Sequence, residues 1–270
     1  MSRTSVLVAR RLRLLAGGAG VLLLLGIATG TGQAIAATPA PAVTGDAGWI
    51  RLAHLSPDTA AVDVQLSALE GGAVVFEVDA VGYGVVSDYI TVAPGAYLVS
   101  MAPTGSTEPV VSATVQIEKD EAVTFAAFGA NSALQTRVFQ DDLDAPDAGA
   151  ARIRLIQAST VTDIVDVTTT TGIVIASQAR AGDATTYATV PAGPWDIALT
   201  AFGIDDVASI SLQDGSVNTL FVLDNSSGGL TVLPVLDSAG VGATPVGGVQ
   251  TGGGALGSAF AALVEVAPAG

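Results

Sequence analysis

Residues 50–56 read IRLAHLS, and residues 153–159 read IRLIQAS. The same separation of 103 residues relates the VDV at 62–64 to the VDV at 165–167. Branched side chains such as Val and Ile favour extended backbone, because branching at Cβ suits a pleated, half-buried surface. The matching segments therefore predict β-strands that occur twice in one chain.

Two later pairs of segments continue the repeat. YITVAPG at 89–95 aligns with YATVPAG at 187–193, and TVQI at 114–117 aligns with SISL at 209–212. The separation falls to 98 and then to 95 residues, as expected if loops of the second copy have lost residues, which loops tolerate better than strands do. The period also exceeds the roughly 20 to 50 residues of solenoid repeats. We therefore expect two diverged copies of one domain.

The predicted domains cover residues 49–140 and 151–237. In each of them, short β-rich runs alternate with turn formers such as Pro94-Gly95, and segment 113–117 alternates strictly between apolar and polar residues. About seven or eight short strands with frequent turns are typical of an immunoglobulin-like antiparallel β-sandwich. The predicted fold class is therefore all-β, with two tandem sandwiches of this type, and a barrel is the alternative.

Both ends of the chain differ from this pattern. Residues 1–36 carry four arginines and no acid, then an apolar run, then the small-x-small site Ala34-Ile35-Ala36, which together predict a secretory signal peptide cleaved after Ala36. Retention as a membrane anchor is the alternative, which the glycines in the apolar run disfavour. We expect residues 238–270 to be a disordered Gly/Ala-rich tail, because such a composition does not offset the entropy of ordering.

Charge and cysteine content limit the possible partners. Without the signal peptide the chain keeps six Lys and Arg and all 25 Asp and Glu, a formal charge of −19. Such a surface repels nucleic acid phosphates and anionic lipids. Cysteine is absent, which excludes disulfides, zinc–thiolate sites and cysteine nucleophiles. We predict a secreted or envelope-associated protein whose mature chain has no membrane-spanning segment.

A family resemblance rests on three segments of the first copy. RLAHLSPD at 51–58, VSDY at 86–89 and the PGAY hairpin at 94–97 resemble the signature of the domain-of-unknown-function family 4397. The resemblance covers the first predicted domain and, more weakly, the second, where Gln157 replaces His54. It implies exported β-sandwich modules, often in tandem, without an established activity.

The candidates for chemistry near the opening strand are His54, Ser56 and Asp58. Three groups within five residues do not readily form the nucleophile, base and orienting chain of a hydrolase. We predict instead that Ser56 and Asp58 accept hydrogen bonds from turn amides. Asp63 and Asp166 hold equivalent places in the two copies, and we expect each to bond neighbouring backbone or the Arg of the opening strand.

An acidic linker is predicted at residues 141–150. Four carboxylates lie close together there, on Asp141, Asp142, Asp144 and Asp147, and calcium prefers six to eight oxygen ligands. A solvated acidic linker is the alternative, which the lack of a complete calcium loop with a glycine hinge favours. We assign no metal ligand in this segment.

Three classes of function fit these observations. The leading prediction is an exported, non-catalytic structural or interaction protein that binds an unknown envelope or extracellular protein or glycan. The alternative is a carbohydrate-binding module, which needs aromatic side chains exposed in a row, drawn from Tyr83, Tyr89, Tyr97 and Trp195.

The third class is a hydrolase with two facing carboxylates, Asp58 with Asp63 or with Asp88. Nothing in the spacing of these acids requires it. We therefore predict that the protein is not an enzyme, and we assign no catalytic, cofactor-binding or metal-binding residue and no cofactor.

Overall fold

The computed structural model describes residues 46–239, which form an all-β structure. The predicted signal peptide and residues 240–270 of the predicted tail lie outside the described residues. In the described range the helical structure is a single 3₁₀ turn at Asn131–Ala133. No helix in that range has the length and apolar character needed to cross a membrane.

Strands β1–β9 make up what we call the first half, residues 48–141, and β10–β17 make up the second half, residues 150–238. The strands of the first half are β1 Gly48–Leu55, β2 Val62–Ala68, β3 Val74–Val81, β4 Val85–Val86, β5 Ile90–Val92, β6 Gly95–Pro103, β7 Val111–Ile117, β8 Ala122–Phe128 and β9 Gln135–Asp141. Those of the second half are β10 Ala150–Gln157, β11 Ile164–Thr169, β12 Val174–Arg180, β13 Ala188–Pro191, β14 Gly193–Ala201, β15 Ile204–Leu212, β16 Val217–Asp224 and β17 Leu230–Ser238.

Each half contains two sheets. In the first half the inner sheet has the order β4-β1-β8-β9, with β5 also paired to β1, and the outer sheet has the order β3-β2-β6-β7. In the second half the inner sheet is β13-β10-β16-β17 and the outer sheet is β12-β11-β14-β15. The strand order of the second half therefore repeats that of the first.

The prediction of purely antiparallel sandwiches is wrong for one strand pair in each half. β1 pairs with β8 in parallel, and so does β10 with β16, while the other pairs of the described strands are antiparallel. Parallel neighbours need a long crossover connection. Here the connection contains all four strands of the outer sheet, together with the short inner-sheet strands β4 and β5 in the first half or β13 in the second.

A separate apolar core fills each sandwich. In the first half, Ile50, Leu52 and Phe125 of the inner sheet pack against the outer sheet, including Leu66 and Val99. The second half has a matching cluster, with Leu155 and Leu220 facing Val167, Ile197 and Leu199. Each half thus buries its branched aliphatic side chains between two facing sheets, as the repeat predicts.

A third apolar cluster joins the two inner sheets. It combines Leu55 and Phe128 of the first half with Ile156 and Phe221 of the second. The central strands of both inner sheets are therefore covered on both faces, and every residue of β8 is buried. Four sheets stack in the order outer, inner, inner, outer, and the two halves meet through their inner sheets.

Candidate functional site

Polar side chains lie at the centre of the contact between the two inner sheets. Side chains alternate along a strand, so Ile50 and Leu52 point into their own sandwich and Arg51 between them points toward the other half. Arg154 has the same place in β10. Both arginines are almost fully buried, at 1% and 2% exposure, and a buried charge needs a partner.

Arg51 finds its main partners across the interface. Its Nη1 lies 2.7 Å from Asp237 Oδ1 of the second half, and Oδ1 accepts no hydrogen bond, so this contact is an ion pair. Nη2 donates to Thr219 Oγ1 at 3.0 Å, and Nε donates at 2.7 Å to Thr124 Oγ1 of its own half. The guanidinium also stacks on Tyr89, 4.9 Å from the ring centre.

Arg154 makes the same contacts with the halves exchanged. It bonds Asp141 Oδ1 of the first half, donates through Nε to Thr219 at 2.9 Å, and lies 5.0 Å from the ring centre of Tyr187. Each Thr hydroxyl then donates to the Asp of its own half at 2.7 Å. The eight residues form a pseudo-twofold network, which we call the Arg–Asp network: Arg51, Tyr89, Thr124, Asp141, Arg154, Tyr187, Thr219 and Asp237.

The tyrosines reach the network because the sheet edge is interrupted just before each of them. Leu52 N donates to the Ser87 hydroxyl at 2.9 Å, and Leu155 N donates to Thr185 at 2.9 Å, in place of the next ladder bond. Such irregularities redirect the side chains that follow them. The Tyr89 hydroxyl then donates to Asp141 Oδ2 at 2.6 Å, and Tyr187 donates to Asp237 at 2.9 Å.

The network is electrically neutral, with two guanidiniums and two carboxylates. Burial lowers the pKa of Arg51, but Asp237, with Tyr89 and Asp141, outweighs that effect and raises the pKa overall. Burial is the main cause that raises the pKa of the Tyr89 and Tyr187 hydroxyls, so both stay protonated donors at neutral pH. Because each arginine bonds the aspartate of the other half, the arrangement holds the halves together.

An open cleft borders the network on one side. It has a volume of about 530 Å³ and lies between β9, β10 and residues 184–187. Arg137, Arg152 and Arg154 line it, together with Gln140 and Tyr187. We call it the arginine cleft.

Arg152 is held in place by the segment that joins the halves. Its Nη1 and Nη2 donate to the two carboxylate oxygens of Asp142 at 2.9 and 2.5 Å, and Nη1 also donates to Asp144 O at 2.7 Å. The hydrogen bond from Arg152 lowers the pKa of Asp142, and the same bond raises the pKa of Arg152. This pair fixes the position of the Arg152 guanidinium at one wall of the arginine cleft and compensates its charge with the Asp142 carboxylate.

The acids predicted as possible calcium ligands have other partners. Asp141 ends β9 and its side chain is fully buried in the Arg–Asp network, while Asp142 holds Arg152. Asp144 N donates to Asp142 Oδ1 at 3.1 Å. Within residues 46–239 no group of three or more His, Cys, Asp or Glu residues is arranged to hold a metal ion.

His54, Ser56 and Asp58 form no catalytic chain. His54 is buried, and neither ring nitrogen makes a hydrogen bond. Burial lowers the pKa of His54, an effect that the nearby Ala60 carbonyl partly offsets. Asp58 Oδ1 accepts from Asn131 N at 2.7 Å, which links the loop after β1 to the 3₁₀ turn before β9. Ser56 Oγ lies 2.6 Å from the Thr59 hydroxyl and donates to Asp58 Oδ1 at 3.4 Å, so its partners are side chains and not the predicted turn amides.

Asp63 and Asp166 bond neighbouring backbone, as predicted. Asp63 Oδ1 accepts from Ala80 N at 2.9 Å and Oδ2 from Gly105 N at 3.1 Å, which lowers its pKa. Asp166 Oδ1 accepts from Gln178 N at 2.8 Å. Ala80 and Gln178 both have positive φ, 56° and 52°, so each Asp stabilises a left-handed residue in the neighbouring strand.

The proposed hydrolase pair lacks a shared cleft. Asp58 and Asp63 are turned toward different backbone amides, those of Asn131 and Ala80. Neither these two acids nor Asp88 lines the arginine cleft.

The aromatic side chains named for sugar binding are not exposed in a row. Tyr89 and Tyr97 are buried, at 2% and 5% exposure, and Tyr83 and Trp195 are half-buried. Tyr97 donates to Ala93 O at 2.6 Å, and Trp195 Nε1 donates to Pro191 O at 3.0 Å. The row of exposed aromatic side chains that the carbohydrate-binding alternative needs is therefore not formed by these four residues.

Sequence reasoning missed the Arg–Asp network and the arginine cleft. A signal for the network was present: the central strands of the inner sheets are apolar almost without alternation, as in AVTFAAF at 122–128. Such runs indicate burial on both faces. A charged residue flanked by apolar neighbours in a strand of this kind, such as Arg51 or Arg154, then predicts a buried ion pair.

Comparisons with known proteins give a family match and distant similarities to solved structures. No curated protein matches the chain. Among solved structures, the Bacillus anthracis TIE protein is 8% identical, with a TM-score of 0.23, over 70% of this chain and 34% of that one. The chain therefore spans about a third of the length of that protein.

Two further structures are similar at the same level. One is the family CBM26 module CBMbc from Eubacterium rectale Amy13K in complex with maltoheptaose, 11% identical with a TM-score of 0.22, over 70% of this chain and 95% of that one. The other is a putative cell adhesion protein from Bacteroides eggerthii, 12% identical with a TM-score of 0.16, over 74% and 98%.

The family match covers the first half and the beginning of the second. The matched stretch is residues 48–168, which contains β1–β10 and most of β11. It includes the RLAHLSPD segment at 51–58 on which the resemblance was based. Residues 48–168 therefore match the family described as "Domain of unknown function (DUF4397)", and the predicted resemblance is confirmed.

Proposed function

We propose that this protein is an exported, non-catalytic interaction or structural module of the bacterial cell envelope or extracellular space. The observation that carries the proposal is the Arg–Asp network. Its four charged side chains lie inside the protein and bond one another, which makes them a support for two packed sandwiches and removes them from contact with a substrate. In residues 46–239 this arrangement gives a single body with exposed sheet faces.

Further support comes from the groups that a hydrolase would need. Asp58, Asp63 and Asp166 each accept hydrogen bonds from backbone amides, and His54 is buried without a hydrogen-bonding partner. These bonds suit residues that shape loops. In architecture, we propose that the halves are diverged copies of one immunoglobulin-like module, since the network positions correspond one to one.

Export is testable by fractionation of the producing bacterium. A tagged chain is expected in the medium or envelope fraction, with an N-terminus that begins at Ala37 by mass spectrometry. Recovery in the cytoplasm with Met1 intact would contradict export. Retention of residues 1–36 in the membrane fraction would favour an anchor.

The non-catalytic proposal has its own test. The purified protein is expected to leave a panel of chromogenic esters and glycosides intact. Turnover that an Asp58→Asn or Asp63→Asn variant abolishes, while the variant keeps the wild-type unfolding temperature, would contradict it.

A further inference from the structure

Another open pocket lies on the outer sheet of the second half, beside the turn between β14 and β15. Its volume of about 360 Å³ falls within the range of ligand pockets, roughly 300 to 1,000 Å³. Its walls combine an apolar part with carboxylates and a hydroxyl: Asp163, Ile164, Asp166, Thr200, Ala201 and Phe202. We call it the Phe202 pocket.

Phe202 presents a fully exposed ring at this pocket. Its exposure of 103% is the largest among the exposed apolar side chains of the described residues, so the ring gains nothing from the protein's own core. The turn that carries it is firmly held, because β14 and β15 pair as far as Ala201 and Ile204 on either side of the turn. A rigid hairpin therefore offers an aromatic side chain to solvent, as the anchor residues of protein interfaces are offered.

The equivalent place in the first half is closed by a longer turn. There, residues 104–110 join β6 to β7, and Gly105 N donates to Asp63 Oδ2 at 3.1 Å. The turn of the second half consists of residues 202–203. It makes no bond to Asp166, whose Oδ1 accepts from β12 and whose Oδ2 accepts no hydrogen bond from residues 46–239. The short turn therefore leaves a carboxylate oxygen free at the pocket wall.

The acids around the Phe202 pocket are not matched by nearby cations. The Asp163 side chain forms no hydrogen bond or ion pair with any described residue. Asp166 and Asp205 lie on either side of Thr200 on the outer face of the sheet. The cation on this face is Arg180 of the edge strand β12, and it forms no ion pair within the described range. Three carboxylates against one guanidinium leave this surface with an excess of negative charge.

The Phe202 pocket lies at the end of the molecule opposite to both ends of the described chain. Arg51 near the start of β1 bonds Thr219 near the start of β16, and Leu55 at the end of β1 shares an apolar cluster with Leu223 near the end of β16. These strands therefore run in the same direction, so the start of β1 and the end of β17 lie together. The turn that carries Phe202 lies at the other end, where β15 bonds the first residue of β17.

We infer that the Phe202 pocket receives an arginine side chain of another extracellular protein. A guanidinium stacks on an aromatic ring and donates to carboxylates in its own plane, which matches Phe202 beside Asp163 and Asp166. A second copy of this chain does not fit, because it would bring the same acids together. A neutral glycan would leave the carboxylates without a counter-charge. The inference rests on the proposed role as an extracellular interaction module and names its class of partner.

The test is isothermal titration of the purified chain with a capped peptide of alternating arginine and serine. Peptides with lysine or glutamate in place of arginine, and maltotriose, are the comparison ligands. We expect saturable binding of the arginine peptide that weakens as salt rises, weaker binding of the lysine peptide, and no binding of the glutamate peptide. Phe202→Ala should weaken binding at least about tenfold, as expected for an aromatic anchor, and Asp163→Asn about threefold, as expected for one exposed ion pair.

Matched controls lie elsewhere on the surface. Leu69→Ala removes another exposed apolar side chain, and Glu77→Gln removes another exposed carboxylate, so both variants should bind as wild type. Phe202→Leu keeps an apolar side chain but loses the ring, and its binding should fall toward that of Phe202→Ala. Because position 202 is exposed, both Phe202 variants should keep the wild-type unfolding temperature.

Several results would overturn the assignment. Binding that Phe202→Ala leaves unaffected, or that Asp163→Asn and Glu77→Gln weaken equally, would mean a general attraction of charge without a site. Equally tight binding of the lysine peptide would overturn the choice of arginine, and preference for maltotriose would overturn the class of partner. No binding of any probe would overturn the site, while the tests of export and of the non-catalytic role would stand.

Discussion

Replacement of Arg51 by Met should destabilise both halves of the protein together. The substitution keeps much of the side-chain volume but leaves Asp237 buried without the cation that lies 2.7 Å away. It also removes the donors to Thr124 and Thr219. Breaking a buried pair by removing one partner costs about 3–5 kcal/mol, a large part of the roughly 5–15 kcal/mol that stabilises a typical protein.

Urea unfolding measures this loss. With a slope of about 2–3 kcal/mol per molar urea, the midpoint of Arg51→Met should fall by about 1–2 M. The matched control is Lys119→Met, which removes a pair whose side chains are 56% and 63% exposed. Exposed pairs contribute about 0–1 kcal/mol, so its midpoint should barely move.

The two tryptophans report on the two halves separately. Trp49 begins the first half and Trp195 lies in β14 of the second, so single-tryptophan variants follow each half by fluorescence. We expect both probes to shift equally in Arg51→Met, because Arg51 is bonded to residues of both halves. A shift confined to Trp49, or a loss no larger than that of Lys119→Met, would refute the reasoning.

A double substitution isolates the unpaired charge. Arg51→Met combined with Asp237→Leu removes both members, and apolar replacement of a whole buried pair is often neutral. The double variant should therefore recover about 1–3 kcal/mol relative to Arg51→Met. Equal or greater destabilisation of the double variant would mean that the pair acts through its hydrogen bonds and not through its charge.

Three further predictions concern other sites. The pKa of His54 is lowered in the folded state, so at mildly acidic pH the unfolded chain binds a proton at His54 that the folded chain does not. The free energy of unfolding should therefore fall as the pH drops below about 6.5, by at most about 1.4 kcal/mol per pH unit. His54→Gln introduces the residue that the second half has at the equivalent position, and it should remove this pH dependence. Urea midpoints measured between about pH 7.5 and 5.5, where carboxylates do not titrate, test this. An unchanged pH dependence would mean that another group causes it. Addition of calcium or EDTA should leave the unfolding temperature unchanged, since Asp141 and Asp142 already bond arginines. A higher unfolding temperature with calcium would show that the protein has a calcium site that these contacts do not predict. Ala80→Gly should stabilise the protein by up to about 1 kcal/mol in urea unfolding, because φ at residue 80 is 56° and a side chain is disfavoured there; a matched Ala126→Gly change in regular β8 should destabilise it.

The sequence was sufficient for the strands and for their repetition. IRLAHLS at 50–56 and its counterpart at 153–159 mark β1 and β10, and VDV at 62–64 marks the start of β2. These features are local, because the spacing of apolar residues and the residue types in the turns determine where strands begin and end. A local pattern does not show that residues 85–92 are divided into β4 and β5, because the division arises where the Ser87 hydroxyl replaces a ladder bond.

The partners of the buried charges were beyond such local reasoning. Asp141 looked like one of four solvated acids in a linker, yet its carboxylate belongs to β9 and bonds Arg154. The pairing of each acid with its arginine depends on how the two inner sheets face each other. The spacing of apolar and polar residues along the sequence does not indicate how the sheets face. The arginine cleft was missed for the same reason, since Arg137 and Arg152 come together only when the halves pack.

The interface combines a repeated polar part with an apolar part that is not repeated. Arg51 and its symmetry-related partners would allow two identical halves to pair, because each half supplies one Arg and one Asp. The apolar positions differ in size: Ala53 and Ala126 in the first half correspond to Ile156 and Phe221 in the second. Two other positions differ in the opposite direction, since Leu55 and Phe128 of the first half correspond to Ala158 and Leu223 of the second. Either half paired with its own copy would therefore lose the match between large and small side chains, and both gaps and overpacking are destabilising. The polar network therefore sets the orientation of the halves, and the unequal apolar residues select the pairing of a first half with a second.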